Sequence, residues 1–170
     1  MNLKSICWII ILFSIPAGLF SQEKSTKKSK EERKLEQQKL TEELVNTKTF
    51  VFVGTMAYPQ GGRSVNLATR PNFVKFSPEL IDSDMPFFGR AYSGAGYGGS
   101  SDGGLTFKGA PGEFTVEKAK KGFEIRASVK TNNDNFRISL SVGTEGNASL
   151  TISSNARSGM SYSGAISKIE

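Results

Sequence analysis

A chain of 170 residues with a formal net charge of +6, 37% hydrophobic residues and 18 glycines is long enough for one domain with a real core. It has no histidine and one cysteine, Cys7, which lies in a segment predicted to be removed. The mature chain therefore has neither serine–histidine nor cysteine–histidine nucleophile pairs, and none of the usual zinc and haem ligands.

Residues 1–21 have the form of a secretory signal. Lys4 supplies the positive start, Ile6 to Phe13 the apolar stretch, Pro16-Ala17-Gly18 the helix break, and Ser21 a small residue before Gln22. The apolar run is too short for a permanent membrane helix, so no transmembrane segment is expected after cleavage. Cys7 sits inside the apolar stretch and not at its end, so it is not the lipid-bearing cysteine of a lipoprotein. The expected destination is the periplasm, the cell surface or the medium, with stability resting on the core and not on disulfides.

Residues 22–47 carry seven basic and six acidic groups. Gln22 to Ser29 reads as a charged tether. Ser29-Lys30-Glu31-Glu32 has capping-box form and predicts a helix from Lys30 to about Asn46. Its apolar stripe is thin, with Leu40 and Leu44 one turn apart and Val45 beside them.

Residues 48–170 read as a single antiparallel β domain with 14 basic and ten acidic groups, too dispersed for a nucleic-acid surface. Phe50 to Tyr58 is the first strong strand. Strict alternation puts Phe50, Phe52, Met56 and Tyr58 on one face, with Val51, Val53 and Ala57 on the other, so both faces are expected to be covered. Pro59-Gln60-Gly61-Gly62 turns, Ser64 to Leu67 is a short strand, and Phe73 to Phe76 begins another that Pro78 interrupts. Asp82 and Asp84 read as turn carboxylates. Leu105 to Lys108 is the next strand.

Beyond it the alternation is clean. Phe114 to Val116 leads to a turn at Lys120-Lys121-Gly122. Phe123, Ile125, Ala127 and Val129 form one inward row, and Phe136, Ile138, Leu140 and Val142 the next. Leu150 and Ile152 follow, then a last strand from Met160 to Ile169. Tight turns between one-sided strands predict an antiparallel meander, a curled sheet or flattened lipocalin-like barrel of about eight strands preceded by one N-terminal helix.

One stretch breaks the rhythm. Met85-Pro86-Phe87-Phe88-Gly89-Arg90-Ala91-Tyr92 leads into a glycine-rich run as far as Gly104, and nine of the chain's glycines fall between Gly89 and Gly112. Gly94-Ala95-Gly96-Tyr97-Gly98-Gly99 has strand on both sides and no following helix, which sets it apart from a dinucleotide-binding loop. Phe87, Phe88, Tyr92 and Tyr97 can form an aromatic lip with Arg90 as an anion contact. The alternative has a phenylalanine as a plug, Gly89 at a bend and Arg90 bonding backbone carbonyls. Arg157 and Tyr162 form a second polar–aromatic pair. Asp82, Asp84 and Asp102 show no calcium-loop spacing, and no two carboxylates are marked out as a glycosidase pair.

Phe50-Val51-Phe52-Val53 with Ala57-Tyr58-Pro59, the Met85–Tyr92 run, Gly104-Leu105-Thr106-Phe107, and matches from Gly146 through Asn155-Ala156-Arg157 to Tyr162-Ser163-Gly164 resemble a family of exported Bacteroidetes proteins, domain of unknown function 4251. The resemblance spans about residues 48–168, and its specific part is the proline–aromatic–aromatic–glycine–arginine run. It implies export, a leading helix and a small β domain, and it carries no catalytic residue over.

The expected function is a non-enzymatic binding protein for a small apolar ligand, lipid or envelope component. Phe87, Phe88, Arg90, Tyr92, Tyr97, Arg157 and Tyr162 are the candidate binding residues, and no cofactor, metal or nucleic acid is expected. The alternative is a protein–protein interaction module using the glycine-rich segment and an edge strand. A carboxylate-based glycan hydrolase is third. No oligomeric state follows from the sequence.

Overall fold

The computed structural model describes residues 20–92, 104–132 and 134–169, with side chains from residue 29 onward. The predicted signal, apart from its last two residues, and the run that holds Tyr97 and Asp102 lie outside the described residues. Helix α1 spans Phe20–Thr47. It starts ahead of Ser29, so the predicted capping box falls inside the helix and the predicted tether is helical. Up to Leu35 the helix belongs to one compact unit, and Glu36 onward belongs to a second that contains every strand. No helix among the described residues is long and apolar enough to cross a membrane.

The second unit has ten strands: β1 Phe50–Pro59, β2 Val65–Asn66, β3 Phe73–Phe76, β4 Ile81–Met85, β5 Leu105–Gly109, β6 Pro111–Ala119, β7 Gly122–Lys130, β8 Asn135–Val142, β9 Asn147–Ser154 and β10 Met160–Ser167. All pairings are antiparallel, in the order β5-β4-β3-β1-β10-β9-β8-β7-β6, with β2 on β1. The predicted meander is present, and the sheet is nearly closed into a barrel. Two features raise the count from about eight to ten. One is the two-residue β2. The other is that β5 and β6 are a single run of chain, broken only at Ala110, whose first part pairs with β4 and whose second part pairs with β7. The two ends of the sheet are thus consecutive in sequence. Phe107 of β5 stacks on Phe136 of β8, ring centroids 4.1 Å apart, filling the seam from inside.

Strand β1 departs from strict alternation. The register against β10 shifts between Gly54 and Met56, a β-bulge at Thr55. Phe50, Phe52 and Ala57 consequently point inward, while Tyr58 is exposed and Met56 only half-buried. The expectation that Met56 and Tyr58 share the face of Phe50 is corrected by that one extra residue. Next to the bulge Gly54 lies opposite Gly164, where a Cβ would overlap the Val53 carbonyl oxygen. Only glycine allows β1 and β10 to approach so closely at this bend.

Asp82 and Asp84 also sit differently from expectation. They occupy β4, whose Ile81, Ser83 and Met85 are buried, so the carboxylates face outward. Asp82 pairs with Lys108 at 3.4 Å, and Asp84 accepts a hydrogen bond from Thr106 Oγ1 at 3.1 Å.

Among the described residues the inward side chains pack on one another. Phe50, Phe52, Phe76, Leu140, Leu150 and Tyr162 are each completely removed from solvent. At about 1.5–3 kcal/mol per large side chain, this burial is the main source of stability. One end of the barrel is closed by the last turns of α1. Val45 is buried and Leu44 packs beside it, while Leu40 remains about half exposed. Thr41, buried one turn before Val45, takes the place predicted for Leu40 and returns its hydroxyl to the Gln37 carbonyl at 2.8 Å. Lys48 ends the helix with φ 54° and donates its ammonium to the Phe114 carbonyl at 3.2 Å.

Candidate functional site

Four connections have their described residues at the other end of the barrel: 60–72, 86–92 with Gly104, 131–134 apart from residue 133, and 155–159. Here the irregular run after β4 is fastened to the β9–β10 loop. The Tyr92 amide donates to Ala156 O at 2.8 Å, and the Ser158 amide donates to Arg90 O at 2.9 Å. The Arg90 amide donates to Ser158 Oγ at 2.9 Å, and Ala91 and Arg157 form an isolated antiparallel bridge. Pro86 breaks strand β4, and the chain is re-paired a few residues later with a different neighbour.

Gly89 makes the turn between the two possible. A Cβ there would overlap Ser158 Oγ and come within 2.7 Å of Phe87 Cζ. From inside the barrel the buried Tyr162 hydroxyl donates to the Pro86 carbonyl at 2.8 Å. Burial pushes the phenol well above its usual range, so it remains a proton donor at any physiological pH.

The aromatic pair is held from both sides. Phe87 and Phe88 are half-buried and pack against the core. The Arg157 guanidinium lies 5.4 Å from the Phe87 ring centroid and donates to the Gly104 carbonyl. The Arg70 guanidinium lies 5.7 Å from the Phe88 centroid. Each contact adds a cation–π attraction to the packing, on the order of 0.5–2 kcal/mol.

Of the predicted residues, Phe87, Arg157 and Tyr162 converge on the Pro86–Phe87 corner. Phe88 turns to Arg70. Arg90 joins through its backbone while its side chain is exposed, and Tyr92 is 55% exposed. Arg70 and Ser158 escape sequence reasoning because both sit in ordinary turns and act only through partners distant along the chain.

Beside Arg70 the surface opens into a cleft of about 470 Å³ between β1 and residues 66–72. Val53, Met56, Leu67 and Ala68 contribute apolar walls, with Arg70 and Asn72 among the polar lining. The cleft exists because β3 pairs with β1 only from Phe50 to Phe52, and β2 pairs only from Met56. In the gap Asn72 Oδ1 accepts the Gly54 amide at 2.6 Å, and the Leu67 amide donates to Thr55 O at 2.9 Å.

Among the described residues no three histidine, cysteine or acidic side chains gather where they could hold a metal ion. None of the curated proteins compared with the chain matches it. A crystal structure of a DUF4251 family protein from Bacteroides eggerthii is similar in fold, with a TM-score of 0.58 and 19% sequence identity over 76% of this chain and 86% of that one. The family described as domain of unknown function DUF4251 matches residues 32–166, from the middle of α1 to the end of β10, and the chain belongs to it.

Proposed function

We propose that this is an exported, non-enzymatic binding module that engages its partner on its outer surface at the loop end, and not inside the barrel. The observation that carries the reading is the packed interior. Fully buried rings and aliphatic side chains occupy the space a lipocalin-type ligand would need, and Tyr162 spends its hydroxyl on Pro86. Phe87 and Phe88 lie down on that core instead of lining an opening. Export rests on the signal form of residues 1–21, and the non-enzymatic part on a mature chain without histidine or cysteine.

Native mass spectrometry of the protein purified from its own cells tests the reading. The expected spectrum shows the bare chain beginning at Gln22. A retained apolar small molecule that Phe87→Ala releases would return the function to internal ligand binding. A mass that includes residues 1–21 would remove export.

A further inference from the structure

The two ends of the barrel differ in charge. The loop-end connections carry Arg63, Arg70, Arg90 and Arg157 against Asp134 among the described residues, and the sequence adds Asp102 in the run outside them, a balance of +2. Asp134 is already committed, its Oδ1 accepting the amides of Asn135 at 2.8 Å and Asn155 at 3.1 Å. The opposite end, residues 36–49 with the connections 77–80, 120–121, 143–146 and 168–169, carries five lysines and five glutamates, a balance of zero. Every cation at the loop end is an arginine, and every cation at the other is a lysine. Among the described residues Arg63, Arg70 and Arg90 form no ion pair.

An arginine's planar fork suits carboxylate or phosphate groups held at a fixed geometry, whereas lysine serves as a hydrated point charge. Arg70 and Arg157, from two different loops, stand over the adjacent rings of Phe88 and Phe87, and Arg90 follows Phe88 by two residues along the chain with its side chain exposed. The cleft beside Arg70 adds an apolar seat, with Val53 43% exposed and Met56 and Ala68 beside it.

Resting on the surface-binding reading, we infer that the loop end receives an acidic polypeptide segment of a partner protein. Arg63, Arg70 and Arg90 take its carboxylates, and one apolar side chain enters the cleft. A concave seat for a single side chain fits a peptide and not the plane of a lipid surface, and carboxylates on an extended chain can meet arginines distributed over several loops. The mode is a docked linear segment with an anchor and charged flanks.

The test is a selection from a displayed library of random dodecapeptides on the intact mature protein. Expected winners place Asp or Glu next to Leu, Ile or Phe. Raising the ionic strength should weaken their binding. The triple variant Arg63→Gln/Arg70→Gln/Arg90→Gln should weaken it by roughly tenfold or more, while Lys39→Gln/Lys120→Gln/Lys168→Gln, which removes the same charge from the other end, should leave it unchanged. If the arginine triple fails to fold, Met56→Asp and the salt dependence on the unmodified protein decide. Winners that are neutral or basic overturn the acidic class and leave surface binding standing. No winner overturns both, and binding to phosphatidylglycerol vesicles without a peptide winner assigns the arginines to a membrane and overturns the polypeptide. Equal loss from the two triples reduces the effect to net charge and overturns the site.

Discussion

The two ends of this barrel are closed by different means. At the helix end the seal is apolar. Val45 is buried, Phe50 stacks on Phe76 with centroids 4.9 Å apart, and Phe114 completes the row 6.1 Å from Phe76. At the loop end the seal is a short length of backbone hydrogen bonded to a neighbouring loop, with half-buried rings beneath it and guanidinium groups over them. Apolar packing needs no particular donor and loses little in salt, but it leaves nothing outside for a partner to recognise. A polar clasp is worth less per contact, yet it holds charged and aromatic groups at fixed positions facing solvent. The two ends therefore contrast an apolar plug with a polar clasp.

Substitutions at the two ends test that contrast, and the largest effect belongs at the plug. Phe50→Ala should cost about 3–5 kcal/mol in denaturant unfolding, because the ring is fully buried and its cavity is walled by other rings. Phe87→Ala at the clasp should cost less than half as much, and equal costs would erase the distinction. Gly89→Ala should cost about 1–3 kcal/mol through overlap with Ser158 and Phe87. Its signature is faster hydrogen exchange at the Tyr92 and Ser158 amides, with the β7–β9 amides unaffected.

Tyr162→Phe comes next, at about 1–2 kcal/mol, since the Pro86 carbonyl loses its donor. The same residue gives a pH dependence. Burial raises its folded-state pKa above the unfolded value near 10, so above that pH only the unfolded chain releases the proton. Stability that is complete below pH ~10 should decline as the pH rises further, and the Tyr162→Phe protein should lose this part of the decline. An unchanged slope would mean that the hydroxyl is not sealed from solvent.

Ser158→Ala removes only the acceptor for the Arg90 amide and should cost about 0.5–1.5 kcal/mol. Smallest of all, Glu42→Gln breaks a 3.1 Å pair with Lys118 in which both side chains are at least half exposed. It should change stability by less than about 0.5 kcal/mol. A larger loss would show the helix end to depend on charge after all.

How much of this was legible depends on the range of the interactions involved. Strands β7 to β9 could be read residue by residue, because each buries one face and the alternation of Phe123 to Val129, Phe136 to Val142 or Leu150 and Ile152 records it directly; β10, predicted to reach Ile169, ends at Ser167. The bulge at Thr55 could not, since one extra residue reverses Met56 and Tyr58 without altering composition. Asp82 and Asp84 looked like turn residues because two carboxylates outweighed the Ile81, Ser83, Met85 row, although an outward-facing carboxylate is compatible with a strand. Ser29 and Glu32 matched a helix start, yet polar residues on both sides let the helix run through them. The irregular stretch from Met85 announced itself by breaking the pattern. Its partners did not, because the Phe88–Arg70 and Arg90–Ser158 contacts are created by the curled sheet and leave no local trace.

The pairing of β1 with β10 has a consequence for assembly. Nearly every other pairing joins strands that follow one another along the chain, whereas Val51 meets Ser167 and Pro59 meets Met160 only after the whole domain has been made. A ribosome releases β1 first and its second neighbour last. Until then one edge of β1 is an open template, and closure sets the topological limit on the folding rate. Gly54 and Gly164 meet at this late seam. A bulky residue at Gly164 should therefore act as a kinetic lesion, trapping a chain whose hairpins have formed but whose ring has not closed.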